Sequence, residues 1–407
     1  MKKSPFFERL AYTIVLGLTA KLLIDTTVQL FNPFLPIFAG GLGVSIIALG
    51  RLVGLRQSMG LLAPVFGTLA DRIGHRYVLQ IGLTLAGIGN LLIGFDLGLP
   101  GLITGMVVSG IGVSIYAPNL HAYLGGKLAY HRRSRVMGII EYSWALAGIV
   151  GLSISGLLIE TVGWNTPFFI IGAGLLLYAV FFFTIPVQKT AEKTGPENMA
   201  KTPRSSGFLR NIALFFDLGE NARSAWGAVA VSGFNFFAVT HILLAHGQWL
   251  SAEYGVTASK LGLIALVLGS FDWVASISVS IAGDRIGKKR SVAIGVAGTI
   301  LGYILLPFLN RSLTWAVAGI VIPRFFFEFA TVSNFPLMSE QVPEQRGKLM
   351  SLSITAGLIG TTVAGITGPW MYARYGVWGL GPLSLAAAVC SLLAVLIFVK
   401  DAKTAHI

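Results

Sequence analysis

Twelve stretches of mostly apolar residues fill most of this 407-residue chain. Each comes close to the ~20 residues with which a helix crosses a bilayer. Numbered as spans 1 to 12, they cover 10–38, 47–69, 78–95, 99–124, 136–159, 166–186, 225–249, 259–282, 292–309, 314–338, 349–372 and 378–399. The bilayer interior offers no water to bond backbone N–H and C=O groups. Only helices, which bond them within the segment, or closed barrels can sit there, and barrel strands take just ~9–11 residues. The chain therefore reads as an all-α integral membrane protein with 12 transmembrane helices. Its 54% hydrophobic and 12% charged residues agree with that and not with two soluble domains.

The connection after span 2 is unlike its surroundings. Gly67-Thr68-Leu69-Ala70-Asp71-Arg72-Ile73-Gly74-His75-Arg76 packs several ionisable groups between two apolar runs. A variant, Gly283-Asp284-Arg285-Ile286-Gly287-Lys288-Lys289-Arg290, follows span 8. Asp71 aligns with Asp284, Arg72 with Arg285, Gly74 with Gly287 and Arg76 with Lys289, all at an offset of 213 (284 − 71). A second landmark, Pro118 in span 4 and Pro336 in span 10, repeats at 218 (336 − 118). Two landmarks at nearly one offset indicate a duplicated chain. The expected organisation is an N-terminal six-helix bundle over 1–186, a linker over 187–224 and a C-terminal six-helix bundle over 225–407. Gln188 to Gly207 is polar with Pro196 and Pro203, as in a flexible connection, and Phe208 to Leu218 suits an interfacial helix.

A net charge of +13 invites a nucleic-acid reading, but the positions of the charges remove it. Of the 30 Lys and Arg, 23 fall in segments on one side of the membrane. Lys260, Arg311 and Arg374 fall on the other, and Lys21, Arg51, Arg56 and Arg324 lie within spans. This is the positive-inside asymmetry, which places both termini in the cytoplasm of a multi-pass plasma (cell inner) membrane protein. One cysteine, Cys390, leaves no internal disulfide. No phosphate loop, nucleophile elbow or Cys/His metal spacing occurs, so neither ATP hydrolysis nor another enzymatic activity is expected, nor any cofactor or metal.

Ionisable groups at membrane depth are costly and mark substrate or ion pathways. The acids are Asp25, Glu141, Asp272 and Glu328; the bases are Lys21, Arg51, Arg56 and Arg324. Four face four, so they can equally be structural pairs. Lys21/Asp25 and Arg324/Glu328 have the i,i+4 spacing for contact on one helix face. Arg51 is expected to snorkel to the outer headgroups, and Glu141 either lines a cavity or meets the cytoplasmic basic cluster. Asn235 and His241 of span 7 are further cavity candidates. His241 serves either as a proton relay or, hydrogen-bonded, in helix packing. Small residues recur every fourth position in span 5 (Ala147, Gly151, Ser155) and span 11 (Gly360, Ala364, Gly368), the spacing that lets two helix backbones approach.

The Gly67, Asp71, Arg72, Gly74, Arg76 motif and its copy at Asp284, Arg285, Gly287 and Lys289 resemble the signature of the major facilitator superfamily; His75 stands where the family usually has Arg. The resemblance implies two pseudo-symmetric bundles that rock about a central site to move a small-molecule substrate. It pairs spans 5 and 11 with spans 8 and 2 across the halves. It also implies a cytoplasmic gate, in which Asp71 approaches the start of span 11 (348–351) and Asp284 the start of span 5 (135–138). Its drug:proton antiporter and sugar-efflux branch looks most similar, with protons as coupling ion and a monomer in the lipid bilayer. Two features depart from that branch: Met106 stands where the span 4 motif has Arg, and span 5 lacks a Gly-Pro pair. Proton-coupled uptake, a lipid flippase and a non-transporting sensor are the alternatives. Among the acids Asp25, in a span that lines the family's cavity, is the first candidate for proton coupling, followed by Asp272, Glu328 and Glu141. Lys21, Arg56 and Arg324 join Asn235 and His241 as candidates for the substrate cavity.

Overall fold

The computed structural model describes residues 5–127, 130–185, 216–342 and 345–400, and every regular element among them is helical. Residues 187–215 of the expected linker, and the side chains of Asp71 and Asp284, lie outside the described residues. Among the described residues, ten helical stretches are long and apolar enough to cross a membrane. Spans 2 and 9 are helical too but fall outside that count for visible reasons. Span 2 is broken, and span 9, Lys288–Leu305, opens on Lys288-Lys289-Arg290.

The breaks follow the backbone chemistry. Span 1 runs as Pro5–Gln29 and Phe31–Gly41, because Pro33 has no N–H to return to the Gln29 carbonyl. Span 2 runs as Ile46–Ser58 and Ala63–Ile73, joined by a tighter 3₁₀ turn over Met59–Leu62 just ahead of Pro64. Span 5 widens to a π turn over Ala147–Gly151 between Tyr130–Leu146 and Leu152–Thr161. The two copies of the charged motif turn identically. Gly74 adopts φ 95°, ψ 138° and Gly287 φ 92°, ψ 141°, a region that only glycine enters freely.

The duplication extends to side chains. Arg76 donates through Nη2 to the Phe183 carbonyl at 2.6 Å, and Lys289 donates to the Leu396 carbonyl at 3.4 Å. Both contacts link residues 107 apart and place a cation at the C-terminal end of the last helix of its half, where the helix dipole is negative. These basic residues of the motif therefore staple spans 6 and 12 within their own halves.

Inside each half, glycines let the helices touch backbone to backbone. A Cβ at Gly112 would sit 2.2 Å from the Ala86 nitrogen between spans 4 and 3, and one at Gly295 would sit 2.7 Å from the Ala330 nitrogen between spans 9 and 10. The small-residue stripes of spans 5 and 11 serve this internal packing: Gly151 faces Thr26 of span 1, and Gly360 faces the Gly233 carbonyl of span 7. The contacts between halves use other residues. Span 5 meets span 8 through Gly148 and Gly156, and span 2 meets span 11 through Gly50 and Gly54.

All of these crossings lie toward the membrane face opposite the two charged motifs. Gly156 faces the Ala258 carbonyl and Gly54 the Thr362 carbonyl, while Ser259 N–H bonds Glu160 at 2.8 Å. Toward the motif face the same helices part. A Cβ at Gly138 (span 5) or Gly347 (span 11) would meet nothing within 4 Å, and Ile281 and Ile354 are exposed. Among the described residues the two halves meet closely at one end and part at the other.

The seal is tightest at Gly247, where a Cβ would lie 1.9 Å from the Pro33 carbonyl oxygen. Gly247→Ala is therefore expected to oppose closure of this face. Overpacking costs roughly 1–3 kcal/mol, which shifts the open/closed ratio by about fivefold to a hundredfold. A thiol at Asn32, placed by Asn32→Cys in a Cys390→Ser background, should then label faster from that face. An unchanged rate would show that the seal relaxes without opening.

Candidate functional site

Two buried charge clusters flank the seam between the halves. In the N-terminal half, Lys21 and Asp25 are one turn apart on span 1, 3% and 5% exposed, and joined at 2.9 Å. Ser143 of span 5 donates to Asp25 Oδ2 at 2.5 Å and accepts from Lys21 Nζ at 3.1 Å. Lys21 Nζ also reaches Glu141 Oε2 at 3.3 Å, and the other Glu141 oxygen pairs with His121 Nε2 at 2.9 Å. Asp25 is dry, whereas the Glu141 side chain is 53% exposed. Lys21 thus bridges a carboxylate shut away from solvent and one that solvent reaches. Glu141 is held by Lys21 and His121, and the side chains of the basic loop at 131–135 lie outside the described residues.

In the C-terminal half, Arg324 of span 10 grips Asp272 of span 8. Its Nε lies 2.9 and 3.0 Å from the two carboxylate oxygens and its Nη2 lies 2.6 Å from Oδ2. This bidentate fork replaces the Arg324/Glu328 pair that the i,i+4 spacing suggested. Planar guanidinium and carboxylate match across two helices, and Glu328 instead accepts from Ser276 at 3.1 Å. Between the two clusters a small void is lined by Gln29, Asn32, His246 and Arg324 among others. Gln29 donates to the Trp144 carbonyl at 2.9 Å, just before the π turn of span 5. His246 Nδ1 lies 2.6 Å from the Leu243 carbonyl, and its Nε2 has no hydrogen-bond partner.

Three candidates lie apart from this group. Arg56 is buried away from Asp25, donating to the Thr27 carbonyl at 2.9 Å and stacking 5.3 Å over Phe31, with Nε and Nη1 unpartnered. Asn235 accepts from Ser391 at 3.0 Å, joining spans 7 and 12. His241 is fully buried, its ring 5.6 Å from that of Phe237 and its backbone packed against Gly368. Arg51 is exposed near the sealed face. Conversely, Ser143, His121, Gln29 and His246 belong to the charged seam and carried no clear signal in the sequence. A Ser or Gln in an apolar helix usually bonds its own backbone, so only its neighbours reveal another role.

The chemistry of such a seam is exchange of partners. Here a carboxylate can trade a protein partner for a proton, and the lysine and arginine can trade theirs for water or a polar solute.

Comparison with known proteins agrees with this architecture. The sequence profile of the Major Facilitator Superfamily matches residues 18–245 and again 226–406, once for each half. A Bacillus subtilis (strain 168) relative, "Uncharacterized MFS-type transporter YceJ", is 24% identical over 391 residues, 94% of either chain. A Lactococcus lactis relative, "Multi-drug resistance efflux pump PmrA homolog", is 25% identical, covering 84% of this chain and 85% of its own. Among solved structures, a D-xylose-proton symporter superposes with a TM-score of 0.76 at 17% identity, over 97% of this chain and 99% of that one. An all-helical architecture of apolar, membrane-length helices, a repeated charged motif and a match over both halves make this chain a member of the Major Facilitator Superfamily of membrane transporters.

Proposed function

We propose that the protein is a secondary active transporter that exports a small organic solute in exchange for protons. The observation that carries this reading is the Lys21 bridge. It joins dry Asp25 to solvent-facing Glu141 at the point where the halves begin to part. A proton arriving at Glu141 or Asp25 releases one arm of Lys21, so protonation and the packing of spans 1 and 5 are linked. Export is favoured by relatives named for multidrug resistance, the Lactococcus lactis homologue among them.

On this reading residues 1–186 and 225–407 move as the two rocking bodies, joined by 187–224. The motif face is cytoplasmic, both termini lie inside, and the host membrane is the plasma membrane. Spans 2/11 and 5/8 seal the outer side, and Asp71 and Asp284 close the inner side in the alternate state.

The test begins with thermal-shift screening of small organic solutes on purified protein. Flux of each hit is then followed in proteoliposomes under an imposed pH gradient. Solute moving against the proton flow, and stopping when a protonophore collapses the gradient, is the expected outcome. Movement with the protons would establish uptake symport, and flux indifferent to the gradient would exclude proton coupling.

A further inference from the structure

The outer surface of the C-terminal half carries a long apolar groove between spans 7, 11 and 12. Its main chamber encloses about 550 Å³ over Gly233, Phe237, Gly360 and Ala387. A second chamber of about 420 Å³ continues it toward the motif face, past Trp226 and Phe398. The two share Ala230, Phe234 and Cys390 as walls. Small residues cause the groove: where Gly360 meets the Gly233 carbonyl, the helices touch and no side chain fills the surface above.

The groove ends in positive charge. Arg223 lines the second chamber and stacks 5.1 Å over Phe398. Lys400 is exposed next to it, its backbone N–H bonded to Ser224 at 2.8 Å, and Lys289 reaches the Leu396 carbonyl on the same helix end. Two acids precede the helix, Asp217, whose carboxylate accepts from Gly219 N–H at 2.9 Å, and Glu220. Among the described residues the three cations outnumber them.

We propose that this groove holds one acidic phospholipid, its acyl chain lying along spans 7 and 12 and its phosphate at Arg223 and Lys400. Length supports this occupant. From Arg223 to Phe237 the helix rises about 21 Å at ~1.5 Å per residue, and half a hydrocarbon core is about 15 Å. A chain anchored at the interface by Arg223 therefore reaches past mid-membrane inside the groove. The walls are apolar throughout and the polar contacts sit only at the headgroup end, which is the amphipathic pattern of a lipid. Juxtamembrane cations draw anionic headgroups by about fivefold each. Neither a substrate nor a coupling role enters this assignment.

Cys390, the single cysteine, lies exposed in the wall shared by both chambers and reports occupancy directly. In purified full-length protein, phosphatidylglycerol should slow maleimide labelling of Cys390 several-fold more than phosphatidylcholine does. Native mass spectrometry should show one retained phosphatidylglycerol. Arg223→Gln should weaken that retention about fivefold, and Ala387→Trp, which fills the main chamber, should abolish it. Should Ala387→Trp fail to fold, the labelling contrast on the unaltered protein stands alone. Equal protection by both lipids, with none retained, would overturn the proposal in favour of ordinary annular lipid. Efficient Cys390–Cys390 cross-linking between copies would overturn it in favour of a dimer interface.

Discussion

Asp25→Asn is expected to leave a folded protein that has lost gradient-driven transport. The stability half of this expectation comes from the partners of Lys21. When the Asp25 charge is removed, Lys21 keeps Glu141 at 3.3 Å and Ser143 at 3.1 Å, so the ammonium is not stranded. The asparagine amide still accepts the Ser143 hydroxyl. Melting in detergent should therefore fall by much less than the roughly 3–5 kcal/mol that an orphaned buried charge costs. The transport half follows from chemistry: asparagine neither takes up nor releases a proton. A gradient of one pH unit supplies about 1.4 kcal/mol per proton, a tenfold concentration ratio, and that ratio should disappear while solute-for-solute exchange persists. Full gradient-driven accumulation in a stable Asp25→Asn protein would remove Asp25 from the coupling path and turn attention to Asp272. A large loss of melting temperature would instead make Asp25 a structural ion.

The Asp272/Arg324 fork should behave in the opposite way, because it has little in reserve. Asp272→Asn leaves the Arg324 guanidinium, 9% exposed, without its bidentate partner. An aspartate can shed its charge by taking a proton; an arginine cannot. The remaining acid, Glu328, sits one helical turn away and is engaged by Ser276, so it offers partial relief. The expected loss is about 3 kcal/mol, at the lower end of the range for breaking a buried pair. Arg324→Met should cost less, since the stranded group is then a carboxyl. Removing both charges, with Asp272→Leu and Arg324→Met together, should return stability to within about 1 kcal/mol of the parent. Thermal denaturation of the three variants in one detergent measures this directly. If the double variant is as damaged as Asp272→Asn alone, the fork belongs to a wider network, and the void beside His246 and Gln29 is the place to look.

These two clusters show how far a linear reading reaches. Hydropathy gives the spans, because the cost of placing a residue in hydrocarbon depends mainly on that residue. The same cost marks Lys21, Asp25, Glu141, Asp272, Arg324 and Glu328 as exceptional wherever they point. It marks Arg56 equally, and there it cannot distinguish a group at the seam from one wedged against Thr27 and Phe31.

The apolar helices, the repeat of the charged motif and the reversals at Gly74 and Gly287 were legible in the sequence alone. Each depends on local composition or on a repeat along one dimension. Partner choice was decided only by tertiary structure. A helix turns ~100° per residue, so whether Arg324 meets Glu328 or Asp272 depends on its rotation against span 8. The small-residue stripe of span 5 likewise faces span 1, and its neighbours one position away at Gly148 and Gly156 face span 8. Which end of the molecule is sealed is decided last of all. It rests on a few backbone contacts between halves, such as Gly247 on Pro33, which no local pattern along the chain records.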